Sequence, residues 1–383
     1  MVYLIKISES VTNMDISNII VGKNLNTRLI KDFPPVKGNP RNSEGSFLRV
    51  DDGSILYAYS RFTGEKNGDH CPSDIALIRS YDEGESWSEP EIIAEAKFFG
   101  VHNIMSVSGI RGLDNSIQFY FLIKEDGGKD LTEHEEEIYS TIGRTISFDG
   151  GRTFKTEKCN LIAPKRYYVM CNDRMERQKD GTLLYPCCYG SKEFSTASSV
   201  FVSKDDGKTF EIIDSEIVIP YKTSWNQGMV EPLLHLQEDG VIALYARTGY
   251  YFQYVSYSKD NLKSFSIPEP SEFSSASSPM EFIKSPNGVL YAVYNPIPGF
   301  NFKYRAKGCH GRTPLAIRKS LDDGKTWGEL NIIEGDPECG YCYAAMFFTN
   351  DNQMLISYGR GGHGEDSCLA HMGILKIDLN EII

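Results

Sequence analysis

The sequence predicts an all-β protein folded as a six-bladed β-propeller. Two recurring patterns predict it, together with the lack of any sustained 3.6-residue periodicity that long helices would need. The first pattern is Ser-x-Asp-x-Gly-x-Ser/Thr-Trp/Phe. The second is an apolar strand that meets a tight polar turn and leaves as another apolar strand. The second pattern occurs six times, at a spacing of about 50–65 residues, room for four strands per unit.

The elements follow in order. FLRV and SILYAYS flank the turn Asp52-Gly53, and the first Asp-containing turn runs Ser80-Tyr-Asp82-Glu-Gly84-Glu-Ser86-Trp87. The second unit has Asp114-Asn115 and then Ser147 through Asp149 and Gly151 to Phe154. The third has Asp180-Gly181 and then Ser203, Asp205, Gly207 and Phe210. In the fourth, PLLHL and VIALYA flank Asp239-Gly240, and a degenerate copy runs from Ser258 through Asp260 to Phe265 with Leu262 in place of Gly. The fifth has Asn287-Gly288 and Ser320-Leu-Asp322-Asp-Gly324-Lys-Thr326-Trp327. The sixth has Asp351-Asn352 and no Asp-containing turn, so a strand from the N-terminal segment, residues 1–35, is expected to complete it and close the ring. These two-residue turns suit hairpins. The repeated Asp can accept backbone N–H bonds within its own turn, and the Gly permits a positive φ. Each blade packs on its neighbours, so residues 1–383 read as one domain.

Composition narrows function. Lys and Arg total 40 against 52 Asp and Glu, a formal charge of −12. That balance gives no support for nucleic-acid binding, which needs a basic face, and argues against docking on anionic lipid. No apolar run approaches the ~20 residues that span a bilayer. MVYLIKISES lacks the features of a signal peptide. Nine cysteines without regular spacing read as reduced thiols, and the expected location is cytoplasmic. Cys339-Gly-Tyr-Cys342 has metal-like spacing but no second pair follows, so no metal is expected. His70, His310 and His363 fall in loops that can line a cleft. Glu133-His-Glu-Glu-Glu137 reads as a solvated loop.

The repeated turn resembles the Asp-box of the sialidase (neuraminidase) superfamily over roughly residues 40–375. The resemblance implies an arginine triad that grips a substrate carboxylate, a tyrosine nucleophile with a glutamate base, and an aspartate acid/base. Glu231-Pro232 precedes a hairpin and Arg247 ends its return strand, which is the most specific match. Arg312, in Arg312-Thr-Pro-Leu-Ala-Ile, leads into the last Asp-box. Arg41, in Asn-Pro-Arg-Asn-Ser-Glu-Gly, stands for the first arginine without the family's Arg-Ile-Pro context; Arg61 is its rival. Tyr343, in Cys-Tyr-Ala-Ala-Met, resembles the nucleophile, and Tyr341 would share its side of a regular strand. Asp69 is the acid/base candidate, with Asp74 the alternative. Asn172-Asp173-Arg174 precedes the third hairpin; Asp173 and Arg174 are expected as further substrate contacts.

The implied activity is an exo-acting, configuration-retaining glycoside hydrolase that releases a terminal sialic acid or a related acidic sugar and needs no cofactor. Its partner would be a small-molecule or glycan substrate. The alternatives are a hydrolase of the same fold acting on an arabinose or uronic-acid glycan, and a glycan-binding propeller without catalysis.

Overall fold

Each Asp-containing turn folds in the same way. In the first, Ser80 Oγ donates to Asp82 Oδ1 at 2.8 Å and accepts from the Gly84 N–H at 2.8 Å. Asp82 in turn accepts from the Ser86 N–H at 2.8 Å and from the Ser86 hydroxyl at 2.5 Å. The turns at Asp149 and Asp322 repeat all four bonds. The turn at Asp205 keeps the serine bonds and the backbone bond to Thr209. The degenerate copy keeps the whole pattern around Asp260, and Leu262 adopts the glycine's positive φ, at 68°. The buried Leu262 side chain joins an apolar cluster, which offsets the cost of a left-handed residue with a Cβ.

The computed structural model describes residues 22–125, 138–191, 196–220, 228–298, 308–365 and 367–383. The acidic run 133–137 lies outside them. The described chain forms six antiparallel sheets arranged as the blades of a propeller. Blade 1 comprises Asn42–Arg49, Ile55–Phe62, Ser73–Ser80 and Glu91–Ala94. Blade 2 comprises Ile104–Arg111, Ile117–Glu125, Tyr139–Ser147 and Lys155–Lys158. In blade 3, Tyr168–Val169 and Glu176–Arg177 form the broken inner edge beside Leu183–Gly190, followed by Thr196–Ser203 and Thr209–Ile212. Blade 4 runs Val230–Leu236, Ile242–Arg247, Phe252–Ser258 and Glu269–Ser274. Blade 5 runs Glu281–Lys284, Leu290–Tyr294, Leu315–Ser320 and Asn331–Glu334.

Blade 6 takes Cys342–Phe348, Gln353–Gly359 and Met372–Asp378 from the end of the chain. Its outer strand is Arg28–Phe33, paired antiparallel with Met372–Asp378. Its third and fourth strands are therefore not consecutive, so no turn joins them and there is no place for a sixth Asp-box. Lys23–Asn24 adds a parallel edge to Asn331–Glu334 of blade 5. The only helical pieces among the described residues are the 3₁₀ turns Ala96–Phe99 and Leu379–Glu381. No helix there is long and apolar enough to cross a membrane.

The core is divided by blade interface. Six apolar clusters are present among the described residues; five join residues of two neighbouring blades, and the one between blades 2 and 3 also takes in Phe62 of blade 1. The sixth interface sets Phe47, Ile55 and Tyr57 of blade 1 against Leu355 and Ile374 of blade 6. All nine cysteines are buried free thiols.

Connections alternate between the two ends of the blades. The hairpin turns and Asp-boxes share one end, where Arg79 bonds the Gly150 and Gly151 carbonyls of the next box and Asp206 accepts from the Leu113 N–H. A methyl group at Gly207, φ 80°, would sit 1.7 Å from the Tyr120 hydroxyl, whereas one at Gly53, φ 87°, meets nothing within 4 Å. Both substitutions by Ala carry the left-handed penalty of about 1–2 kcal/mol. Only Gly207→Ala adds overpacking, worth roughly 1–3 kcal/mol more. Urea denaturation of the two variants should show the larger loss for Gly207→Ala.

Candidate active site

The inner strands do not run regularly to the axis. Their pairing with the second strand skips residues between Ser43 and Ser46, between Met105 and Ser108, between Val230 and Leu233, and between Cys342 and Ala345. Each bulge holds a non-glycine residue at positive φ: Glu44 at 56°, Ser106 at 62°, Glu231 at 49° and Tyr343 at 56°. Asp173, at 57°, lies in the gap between the two inner pieces of blade 3. Five left-handed residues at equivalent places are an unfavourable backbone choice that the surrounding structure must enforce. Asn172 is one enforcer: its amide donates to the Gly45 carbonyl of blade 1 at 3.0 Å and to the Tyr343 and Ala344 carbonyls of blade 6 at 3.4 Å each. Others are the bonds from the Ser106 N–H to Ser60 Oγ at 2.9 Å and from the Asp173 N–H to the Val107 carbonyl at 2.9 Å.

Two clusters of polar side chains lie within electrostatic reach of one another. In the first, the Tyr343 hydroxyl donates to Glu231 Oε1 at 2.7 Å, and Arg247 Nη1 donates to Glu231 Oε2 at 2.8 Å. Arg312 lies over the Tyr343 ring at 5.5 Å and donates to Cys342 Sγ at 3.3 Å. Ser277 joins the two arginines, accepting from Arg247 Nε on its hydroxyl at 3.1 Å and from Arg312 Nε on its carbonyl at 3.4 Å. Burial pushes the Glu231 carboxyl up, but Arg247 and the phenol hydrogen bond outweigh it and hold it below the usual range. Burial and then the Glu231 charge push the Tyr343 phenol well above its ordinary value, against the opposing pull of both arginines. The proton therefore rests on the phenol, and an ionised carboxylate is placed to take it.

The second cluster is built on Arg41, fully buried and stacked 4.3 Å over the Phe62 ring. Its guanidinium donates to Ser43 Oγ at 2.9 Å, to Asp69 Oδ1 at 2.6 Å and to Glu44 Oε1 at 3.4 Å. Asp69 has a side chain 60% exposed. Desolvation raises its carboxyl, but Arg41 and Lys124 win and pull it down to about 2. The Lys124 ammonium is buried beneath and donates to the Asp69 carbonyl; burial lowers it to about 8. Burial raises Glu44 to about 7 despite Arg41, and its Oε2 finds no hydrogen-bond partner among the described residues. The clusters sense one another: Tyr343 acts on Arg41, and Glu231 on Glu44.

The profile of the BNR repeat-like domain matches residues 53–356. The chain belongs to that family. A comparison with curated proteins gave no match. Among solved structures, a protein of unknown function from Dyadobacter fermentans DSM 18053 is 17% identical, covers 92% of this chain and 99% of its own, and superposes with a TM-score of 0.68. The Hadza microbial sialidase Hz136 is 16% identical over 90% of this chain and 67% of its own, with a TM-score of 0.70. The NanB sialidase from Streptococcus pneumoniae is 12% identical over 93% of this chain and 71% of its own, with a TM-score of 0.68. At these identities the likeness establishes the fold, a sialidase-like six-bladed propeller.

Within this BNR-family propeller, Tyr343, Glu231, Arg247 and Arg312 form one contact network, and Arg41 and Asp69 form another. Tyr341 does not share the Tyr343 side. The bulge after Cys342 breaks the alternation, and Tyr341 is buried in the apolar cluster between blades 5 and 6, its ring 6.1 Å from that of Tyr358. Asp74 is drawn away to accept from the Ala96 N–H at 2.8 Å, and Arg61 sits opposite it in the blade 1 register. Asp173 accepts from the Ser46 hydroxyl, and burial lifts it to about 6. Arg174 is ion-paired with the buried Glu281 and donates to the Met280 carbonyl at 2.7 Å. His70 lies 6.1 Å from the Tyr167 ring, and His363 bonds Asp336 rather than either cluster. Sequence reasoning missed Glu44, Lys124 and Ser277. Glu44 stands inside the segment that singled out Arg41, but only the bulge turns it to the axis.

The raised Glu44 carboxyl has a measurable consequence. Its folded value lies above the unfolded one, so its protonated form favours folding, and that contribution is lost as pH rises from about 4.5 to about 7. Glu44→Gln removes this dependence. Across that window the variant should gain stability relative to wild type, by an amount of order 3 kcal/mol near neutrality, in thermal melts taken at successive pH values.

Proposed function

We propose that the protein is an exo-acting, retaining glycoside hydrolase that releases a terminal sialic acid or a related acidic sugar. The observation that carries this reading is the 2.7 Å hydrogen bond from the Tyr343 phenol to the ionised Glu231 carboxylate, flanked by Arg247 and Arg312. Such a sugar bears a carboxylate on its anomeric carbon. A carboxylate nucleophile would approach against like charge, whereas a neutral phenol does not. The phenol is weak until its proton leaves, and Glu231 is in place to receive it. Arg247 and Arg312 offer forked donors to the substrate carboxylate.

In this reading Arg41 is the third donor. A substrate carboxylate that takes over the Arg41 bonds frees Asp69 from the cation that keeps it ionised and places a second negative charge nearby. Both changes raise the Asp69 carboxyl, so that it can hold a proton for the leaving oxygen and later take one from water. The exposure of Asp69 suits contact with both.

A second reading is favoured by the state of Arg41. It is already bonded to two carboxylates, Glu44 and Asp69, which a substrate carboxylate would have to displace. That supports a hydrolase acting on another glycan, of arabinose or uronic-acid type. A panel of fluorogenic glycosides separates the two by which sugar is released.

Tyr343→Phe keeps the ring packing and removes the nucleophilic oxygen. Turnover of the released glycoside should fall by at least about a thousandfold, roughly 4 kcal/mol or more, with an unchanged circular dichroism spectrum. Arg247→Ala should weaken an anionic sugar by roughly 2–5 kcal/mol and a neutral analogue far less, as read by calorimetry on the two ligands.

A further inference from the structure

The end of the propeller that carries Asp69 holds a second constellation, outside both clusters. The Asp336 carboxylate, the Cys339 sulfur and a His363 ring nitrogen offer donor atoms that all lie within 4.8 Å of one another. We propose that these three side chains bind a thiophilic divalent cation of the zinc class. The site is independent of the proposed glycosidase chemistry.

The donors come from two loops that the backbone holds face to face. Asp336 and Cys339 lie between Asn331–Glu334 of blade 5 and Cys342–Phe348 of blade 6, and His363 lies between Gln353–Gly359 and Met372–Asp378. Cys339 bridges to Gly362, and the Gly340 N–H donates to the Gly361 carbonyl at 2.9 Å. The Asp336 carbonyl accepts from Thr313 Oγ1 at 3.0 Å, and Asp336 Oδ1 accepts from the Glu338 N–H at 2.9 Å. Only Oδ2 is then turned to His363 Nε2, 2.7 Å away. A Cβ at Gly362 would sit 2.7 Å from Cys339 Sγ and 2.3 Å from the Glu338 carbonyl, so glycine lets the second loop come down onto the sulfur.

The donor set fits the cation. Imidazole, thiolate and carboxylate are the ordinary zinc ligands, with metal distances near 2.0–2.3 Å. Around a tetrahedral ion those distances place nitrogen and oxygen about 3.3 Å apart, and sulfur about 3.5 Å from each. The present triangle reaches that arrangement by movements of about an ångström. The mobile members are the exposed ones: the His363 side chain is 63% and the Asp336 side chain 42% exposed, whereas Cys339 is nearly buried. The cation takes the place of the hydrogen between Asp336 and His363, the neutral imidazole carrying its N–H on Nδ1, and the Cys339 thiol proton leaves to solvent. Thiolate and carboxylate then neutralise the two positive charges, and the fourth position opens to solvent. The bound ion ties the entry of the strand bearing Tyr343 to the neighbouring loop.

The test uses the full chain, stripped of metal and kept reduced, titrated with cobalt(II) as a spectroscopic stand-in. A near-ultraviolet thiolate-to-cobalt absorption that saturates at one equivalent and is bleached by zinc is expected. Cys339→Ser should abolish it, and His363→Ala, at an exposed position that leaves the fold alone, should weaken cobalt binding at least tenfold. Absence of the absorption in wild type overturns the proposal. So does an absorption that persists in Cys339→Ser, or one with unchanged affinity in His363→Ala, since either places the metal on other cysteines.

Discussion

The contact between the sixth blade and the first is the constraint on which the candidate site depends. Tyr343 and Arg41 are separated by most of the chain, yet the Tyr343 phenol bears on the charge of Arg41. They meet because Arg28–Phe33 completes blade 6 and because Phe47, Ile55 and Tyr57 bury against Leu355 and Ile374. Apolar burial of this kind is non-directional; the hydrogen-bonded register of Arg28–Phe33 on Met372–Asp378 supplies the direction. Across the ring, the Asn172 amide bonds carbonyls of both blades at once, so the closing interface is also clamped from the far side of the axis.

At the centre, burial and charge oppose each other. Arg41, Arg247 and Arg312 are taken out of water, which is tolerated only where carboxylates and carbonyls replace the lost solvent. Glu231, Asp69 and Glu44 do this, but unequally. Glu231 and Asp69 stay ionised because a guanidinium bonds each at short range. Glu44 holds Arg41 at 3.4 Å with one oxygen unpaired, and desolvation lifts it. The result is a pocket with a phenol kept neutral, a carboxylate kept ionised beside it, and a third group poised near neutrality. Environments that push titratable groups apart in this way are typical of sites that move protons.

The bulges carry a backbone cost. Glu44, Ser106, Asp173, Glu231 and Tyr343 all adopt a backbone that L-residues avoid; the Asp-boxes use it too, at Glu83, Asp206, Asn261 and Asp323 as well as at the glycine or Leu262 that follows in each. In the boxes that conformation is held by bonds within the turn itself, whereas at the axis it is held by bonds from other blades. Regular strands there would alternate their side chains between two faces and could not present neighbouring residues to one centre.

The repeating architecture was legible in the sequence because it rests on local chemistry. A serine and an aspartate closing a turn on a glycine need only eight residues, and the hairpin dipeptides need two. Leu262 was readable as a degenerate copy for the same reason. The pairing of Glu231 with Arg247 was also readable, since both belong to one hairpin whose register is short-range. Other choices lay beyond sequence reasoning. Tyr341 and Tyr343 are equivalent by alternation, and only the bulge separates them. Asp74 matches Asp69 in type, until the Ala96 N–H claims it. Glu44, Lys124 and the trio of Asp336, Cys339 and His363 carry no pattern in the chain, because what joins them is the meeting of distant loops at one end of a closed ring. Local hydrogen bonding wrote the blades into the sequence; the protonation and company of each central side chain came from burial and from neighbours that only ring closure supplies.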